Sequence, residues 1–178
     1  MVIAKSEDIT VRAFEPDDTA EFTSACLESV ETVGKWMPWC NEAYTQDTAL
    51  SWISLCSSEI EAGNAFDLGV FRNSDSLFVG SIAINRLDKQ NRIGNIGYWV
   101  RQSLQQQGYA LKAINLIKKY GFQKLHLVRL EIVVLEENMA SRRAAECAGA
   151  EFECQAKNRL MHDGIANTAA VYSFTSSC

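Results

Sequence analysis

The chain has 178 residues, 47% of them hydrophobic, with a formal net charge of −5 and a pI near 5.1. A chain of this size buries roughly 70% of its unfolded surface, so it needs neither a metal nor a disulfide framework to hold a core, and a large second domain is excluded. The acidic balance argues against nucleic acid as a partner, because its binders need a basic face to replace counterions.

Ile9 to Phe14 alternates apolar and polar residues, the pattern of a half-buried strand, and Glu15-Pro16-Asp17-Asp18 ends it and opens a helix with an acidic first turn. An aromatic turn, Trp36-Met37-Pro38-Trp39, precedes a second helix over Thr45 to Ala62. That helix carries Ala49, Trp52, Ile53, Cys56 and Ile60 on one side and stops at Gly63-Asn64. Phe66 to Phe71, Leu77 to Asn85 and Asn95 to Arg101 are rich in β-branched and aromatic residues. Asn73-Ser74-Asp75-Ser76 and Asp88-Lys89-Gln90-Asn91 supply turns between them, which reads as an antiparallel meander of three strands. The period then changes: from Gly108 to Leu125, Leu111, Ile114, Ile117 and Tyr120 share one face of a helix. Val128 to Leu135 is an apolar strand, and Asn138 to Ala148 is a helix closed by Gly149. Glu151 to Leu160 and Ala166 to Thr175 are strand-like, with His162-Asp163-Gly164 as the hairpin turn between them. The predicted order is β-α-α-β-β-β-α-β-α-β-β, one mixed α/β domain over residues 1–178 with a largely antiparallel sheet.

The net charge conceals a split. Residues 1–89 hold 6 Lys+Arg against 15 Asp+Glu, a net of −9, and residues 90–178 hold 11 against 7, a net of +4. The six cysteines, Cys26, Cys40, Cys56, Cys147, Cys154 and Cys178, lack metal-ligand spacing, and the only histidines are His126 and His162. No metal site is expected, and the thiols read as reduced. The charged N-terminus has no signal-peptide core, and no apolar run approaches the roughly 20 residues of a membrane helix. A cytoplasmic protein with no membrane partner is expected.

Ile96-Gly97-Tyr98-Trp99-Val100-Arg101 leads into Gln105-Gln106-Gln107-Gly108-Tyr109-Ala110 at the start of the most periodic helix. A strand that runs through a small-residue loop into a helix N-terminus presents unpaired N–H groups and the positive end of a helix dipole. Both suit phosphate oxygens, and small residues at 108 and 110 allow close approach. There is no GxxxxGK[ST], which excludes a P-loop, and no GxGxxG to support a dinucleotide fold. On spacing alone, an ordinary N-cap turn accounts for this segment as well.

Gln105-x-x-Gly108-x-Ala110 resembles the Q/R-x-x-G-x-G/A signature of the GNAT superfamily of acetyl-CoA-dependent N-acetyltransferases. Ile-Gly-Tyr-Trp-Val before it, with Glu137-Asn138-Met139-Ala140-Ser141 and Ala148-Gly149-Ala150 after it, extends the likeness. So do the Trp36 to Trp39 turn, Val79-Gly80-Ser81-Ile82 and Val171-Tyr172-Ser173, and nearly the whole chain is similar to the branch of the ribosomal-protein N-terminal acetyltransferases RimJ and RimL. The resemblance implies an α/β (α+β) fold with a mixed, mostly antiparallel central sheet and helices on both faces. It implies acetyl-CoA as co-substrate, no metal, and direct transfer of the acetyl group to a neutral amine, such as the N-terminus of a ribosomal protein. Gln105, Gln106, Gln107, Gly108, Tyr109 and Ala110 are then the pyrophosphate cradle. Trp99, Val100 and Arg101 run along the pantetheine, one of their N–H groups facing the developing oxyanion. Asn138 lies near the pantetheine, Ser141 protonates the leaving thiolate, and Tyr98, Trp36 and Trp39 line the acceptor side. Residue types alone allow a plainer reading in which Asn138 caps the next helix, Ser141 belongs to its first turn, Tyr98 packs on a helix and the tryptophans are core. Monomer and homodimer are both compatible with the sequence.

Departures from the branch concern the base. Where relatives commonly have Glu before Ile-Gly-Tyr-Trp, this chain has Asn95, and an amide cannot take the ammonium proton. Asn167 stands for an Asp before the last strand, and Gly149-Ala150 for a Gly-Phe. Ala144, Ala145 and Cys147 occupy the stretch where many members keep a tyrosine acid, leaving Ser141 as the hydroxyl there. An α-amine titrates near 8, against about 10.4 for Lys, so loss of a base is better tolerated with an α-amine acceptor. The competing readings are a small-molecule amine acetyltransferase and a catalytically weak acyl-CoA-binding module.

Overall fold

The structure, a computed structural model, describes residues 1–176; Cys178 lies outside the described residues. In chain order the elements are β1 (Val2–Lys5), β2 (Ile9–Arg12), α1 (Thr19–Glu28), α2 (Gln46–Ala62), β3 (Phe66–Arg72), β4 (Phe78–Asp88), β5 (Ile93–Val100), α3 (Tyr109–Gln123), β6 (Arg129–Leu135), α4 (Met139–Cys147), β7 (Glu151–His162) and β8 (Ile165–Thr175). One sheet holds all eight strands in the order β1-β2-β3-β4-β5-β6-β8-β7. Six of the seven pairings are antiparallel. The exception is β5 with β6, joined through the crossover helix α3 as a parallel pair requires.

Two expectations are corrected. The chain opens with two strands, because β1 is a short, mostly exposed edge strand that exists by pairing with β2 and carries little apolar pattern of its own. Trp52 does not join the buried side of α2: Ala49, Ile53 and Cys56 set that face, and Trp52 stays 38% exposed. Thr45 is the N-cap of α2, accepting from the Thr48 N–H at 3.2 Å.

Helices cover both faces of the sheet. Ile114 and Ile117 of α3 and Ala145 of α4 pack on Ile82, Ile84, Ile96, Leu130, Ile132 and Tyr172. Gly121 lets α3 settle there, since a Cβ at that position would stand 2.9 Å from Leu130 and 3.0 Å from Ile84. On the opposite face Phe22 of α1 and Ile53 and Cys56 of α2 meet Phe14, Phe71, Phe78 and Trp99. The β7–β8 hairpin turns on Asp163 and Gly164, both at positive φ, the two-residue geometry that matches strand twist. Among the described residues no helix is long and apolar enough to cross a membrane, and Cys26, Cys40, Cys56, Cys147 and Cys154 are free thiols.

Candidate active site

The β5–β6 ladder is short. Ile93, Gly94 and Asn95 pair with Arg129, Leu130 and Glu131, and beyond Asn95 the strands part. From Ile96 to Val100, β5 pairs only with β4, and from Ile132 to Leu135, β6 pairs only with β8. The parting strands leave a wedge bounded by unpaired backbone edges. Successive residues of an antiparallel ladder turn their N–H and C=O groups alternately toward and away from one neighbour. The Arg101 N–H goes to Val79 O on β4 at 2.9 Å, so Trp99 shares that direction, and Tyr98 and Val100 face the wedge. Val100 O accordingly accepts from the Gln105 side chain at 2.9 Å and not from β4.

Past the wide end of the wedge, the chain makes one 3-10 turn at Gln102–Leu104 and enters α3 through Gly108, whose φ of 80° is a left-handed value that favours glycine. Gly108 O already accepts from the Lys112 N–H, while the first N–H groups of α3, at Tyr109, Ala110 and Leu111, have no partner within the helix. From Gln102 to Ala110 no residue is basic, so this cradle offers an anion backbone dipoles and amides. Gln106, Gln107 and Gly108 are exposed. Gln107 bonds back to Ser103 O, and Gln105 is turned inward to Val100 O and Thr32 Oγ1.

Asn138 and Ser141 stand at the N-terminus of α4, directly after β6. Asn138 Oδ1 accepts from the Ser141 N–H at 3.1 Å, the capping bond that its residue type suggests. Tyr98 crosses from β5 to this point, its hydroxyl 2.9 Å from Ser141 O and 3.0 Å from Ser141 Oγ. Burial pushes the Tyr98 phenol up to about 12, against the opposing pull of its bond to Ser141, so it keeps its proton at neutral pH. Ser141 thus has a phenol from β5 beside it, a pairing that sequence order hides because 43 residues separate the partners.

Arg101 directs its side chain away from the wedge. The residue is 8% exposed, and its side chain is turned toward α1. Nε and Nη2 donate to Glu28 at 3.1 and 2.6 Å, and Nη1 donates to Glu21 and to Phe78 O, both at 3.3 Å. With its N–H held by Val79, it presents no free donor to the wedge. Trp99 likewise sends its N–H toward β4 and its ring into the aromatic cluster, 5.7 Å from Phe22 and 5.8 Å from Trp39. Of the three backbone donors expected along the pantetheine, Val100 faces the wedge, and Tyr98 joins it.

Trp39 is 42% exposed and stacks on Phe22, so the aromatic turn sits over the Trp99 end of β5. Trp36 is half-buried outside that cluster, with the Lys35 ammonium 4.6 Å from its ring. After α1 a π-helical turn, Val30–Gly34, brings Thr32 Oγ1 to Gln102 and Gln105. Beside it lies an open, acidic cleft of about 360 Å³ lined by Leu27, Glu28, Val30, Glu31, Glu42 and Gln102. At the closed end of the wedge Asn95 Nδ2 donates to Asn85 Oδ1 at 3.0 Å, and Asn95 Oδ1 is buried with no partner among the described residues.

Known proteins are similar to this chain in sequence and fold. The Bacillus subtilis (strain 168) protein named "Putative ribosomal N-acetyltransferase YdaF" is 27% identical over 94% of this chain and 91% of its own length. A Vibrio cholerae structure named as a "putative ribosomal-protein-serine acetyltransferase" is 28% identical, covers 99% of this chain and 98% of its own, and superposes with a TM-score of 0.87. Mycobacterium smegmatis RimJ, solved with a CoA disulfide, has the same fold at 24% identity and a TM-score of 0.87, over 94% of this chain and 82% of its own. The family description "Acetyltransferase (GNAT) domain" matches residues 8–151, which takes in the wedge, the cradle at Gly108 and the Asn138 to Ser141 turn, and the chain belongs to the GNAT acetyltransferase family.

Proposed function

We propose that the chain, acting as one domain in the cytoplasm, acetylates the α-amine of a protein N-terminus, with acetyl-CoA as donor. The observation that carries this reading is that the cradle follows the wedge along the chain and the Tyr98–Ser141 pair bridges β5 to the start of α4. An acyl donor with a pyrophosphate at one end, two amides along its arm and a thioester at the other needs anion-binding N–H groups, an unpaired strand edge and a proton source, in that order. The first turn of α3 provides the first, Tyr98 and Val100 backbone groups the second, and the Ser141 hydroxyl the third. Acetyl-CoA brings the activated carbonyl.

The chain's residues then divide the work. The Val100 or Tyr98 N–H stabilises negative charge on the carbonyl oxygen as the amine attacks. Ser141 Oγ, held by the capped start of α4 and by Tyr98, gives a proton to the departing sulfur. Trp39 and the acidic cleft beside α1 form the side from which a cationic amine approaches. The relatives named for ribosomal proteins support a protein N-terminus over a free small amine. The test is acetylation of a peptide panel with free or blocked α-amines, read by mass spectrometry. Modification of free α-amines alone is expected, and equal modification of lysine-only peptides would refute the reading.

A further inference from the structure

We propose that Glu131 receives the acceptor ammonium and takes its proton, the role for which position 95 has no carboxylate. This rests on the N-terminal amine reading above. Asn95 and Glu131 are partners in the parallel ladder, the last pair before β5 and β6 separate. Partners across a ladder put their side chains on the same face about 4.8 Å apart, so Glu131 stands one strand over from the amide at the closed end of the wedge. The same row continues through Asn85 on β4 and Ser173 on β8.

The surroundings of Glu131 fix it without consuming it. Arg129 Nε donates to Oε1 at 2.9 Å, and the other end of that guanidinium is held by Glu153, which also accepts from Ser173. Oε2 has one cationic neighbour, the Arg159 guanidinium from β7, at a long 3.5 Å. Arg159 is 40% exposed, whereas Glu131 is 21% exposed, so the carboxylate is anchored on one oxygen and lightly engaged on the other. The charged groups facing it are therefore Arg129 on its own strand and Arg159 and Glu153 on β7. A carboxylate oxygen accepts more than one hydrogen bond, which leaves Oε2 capacity for an ammonium N–H.

The proton balance closes. Glu131 Oε2 takes the first proton from the ammonium, directly or through one water, and passes it to solvent. The freed lone pair forms the C–N bond at the thioester carbonyl and the C–S bond breaks. The second proton leaves nitrogen as the amide forms and restores the one that Ser141 gives to sulfur.

The experiment compares wild type, Glu131→Gln and Asn95→Glu/Glu131→Gln on a peptide with a free α-amine, from about pH 6 to about pH 9, where that amine passes from charged to neutral. Glu131→Gln is expected to lower kcat/KM for the peptide at least tenfold near pH 7 with the KM for acetyl-CoA unchanged, and the deficit shrinks as pH rises. The double variant, with its carboxylate one strand away, regains part of the loss. A Glu131→Gln rate within about twofold of wild type across the range overturns the assignment, since loss of a general base costs more. So does a deficit that is constant with pH and not regained by the double variant, which marks a structural role. Wild type that leaves the peptide unmodified overturns the N-terminal reading, and this inference with it.

Discussion

Replacing Arg101 by Met keeps an unbranched apolar stem but removes the guanidinium that ties the end of β5 to α1. Two charge-assisted bonds to Glu28 are lost, at 2.6 and 3.1 Å, and Phe78 O loses a donor. Glu28 keeps the Ser103 N–H at 2.7 Å and is 29% exposed, which softens its loss. The bond to Glu21 adds little, because that carboxylate is 55% exposed. Hydrogen bonds to charged groups contribute about 1.5–3 kcal/mol each in favourable cases. With partial rescue of Glu28 by solvent and Ser103, the net cost is about 2–3 kcal/mol. For a domain of this length that lowers Tm by about 4–12 °C. Thermal unfolding and calorimetric titration with CoA separate stability from binding: Tm falls, while the Kd for CoA stays within about twofold, under about 0.4 kcal/mol. An unchanged Tm with a tenfold or greater loss of CoA affinity would refute the anchoring role and return Arg101 to the cofactor.

Three further outcomes are expected. Tyr98→Phe removes the hydroxyl beside Ser141 and lowers kcat about tenfold with the KM for acetyl-CoA unchanged, and Ser141→Ala lowers it more; steady-state thiol release checks both, and a wild-type kcat in either removes that residue from proton transfer. Gly108→Ala meets no atom within 4 Å but forces alanine to a φ of 80°, so it costs about 1 kcal/mol in stability and raises the KM for acetyl-CoA severalfold, measurable by denaturant unfolding beside kinetics. Asp67 is pushed up to about 6 by burial, with Glu59 adding to the effect. The folded protein therefore holds that proton more tightly than the unfolded chain, and stability falls as pH rises from about 4 to about 6. Asp67→Asn removes this fall and raises stability at pH 7 by about 1–3 kcal/mol, visible as a Tm gain at pH 7 that is absent at pH 4.

Periodicity made the helices and most strands legible, because one face of each is dictated by the core: Ile114 and Ile117 on α3, and Ala49, Ile53 and Cys56 on α2. β1 was illegible because its four residues are fixed by pairing with β2 and not by burial. The cradle could be read from Gly108, since a small residue before a periodic helix carries its own signal. The side chain of Arg101 could not, because its partners Glu28 and Glu21 lie more than 70 residues away and no local pattern encodes an ion pair. Ladder register is equally nonlocal. Asn95 reads in sequence as a missing carboxylate, and only the pairing of β5 with β6 brings Glu131 beside it. The charge split changes meaning in the same way. Part of the acidic N-terminal half pairs with Arg101, and Glu31 and Glu42 line the cleft beside α1.

The most direct test incubates the purified chain with acetyl-CoA and a peptide that carries both a free α-amine and an internal lysine, then locates the modification by tandem mass spectrometry. One acetyl group on the α-amine with matching release of CoA thiol is expected, and both slow by more than about tenfold in Ser141→Ala. Acetylation of the lysine alone, or tight CoA binding with no transfer to any amine, would contradict this expectation.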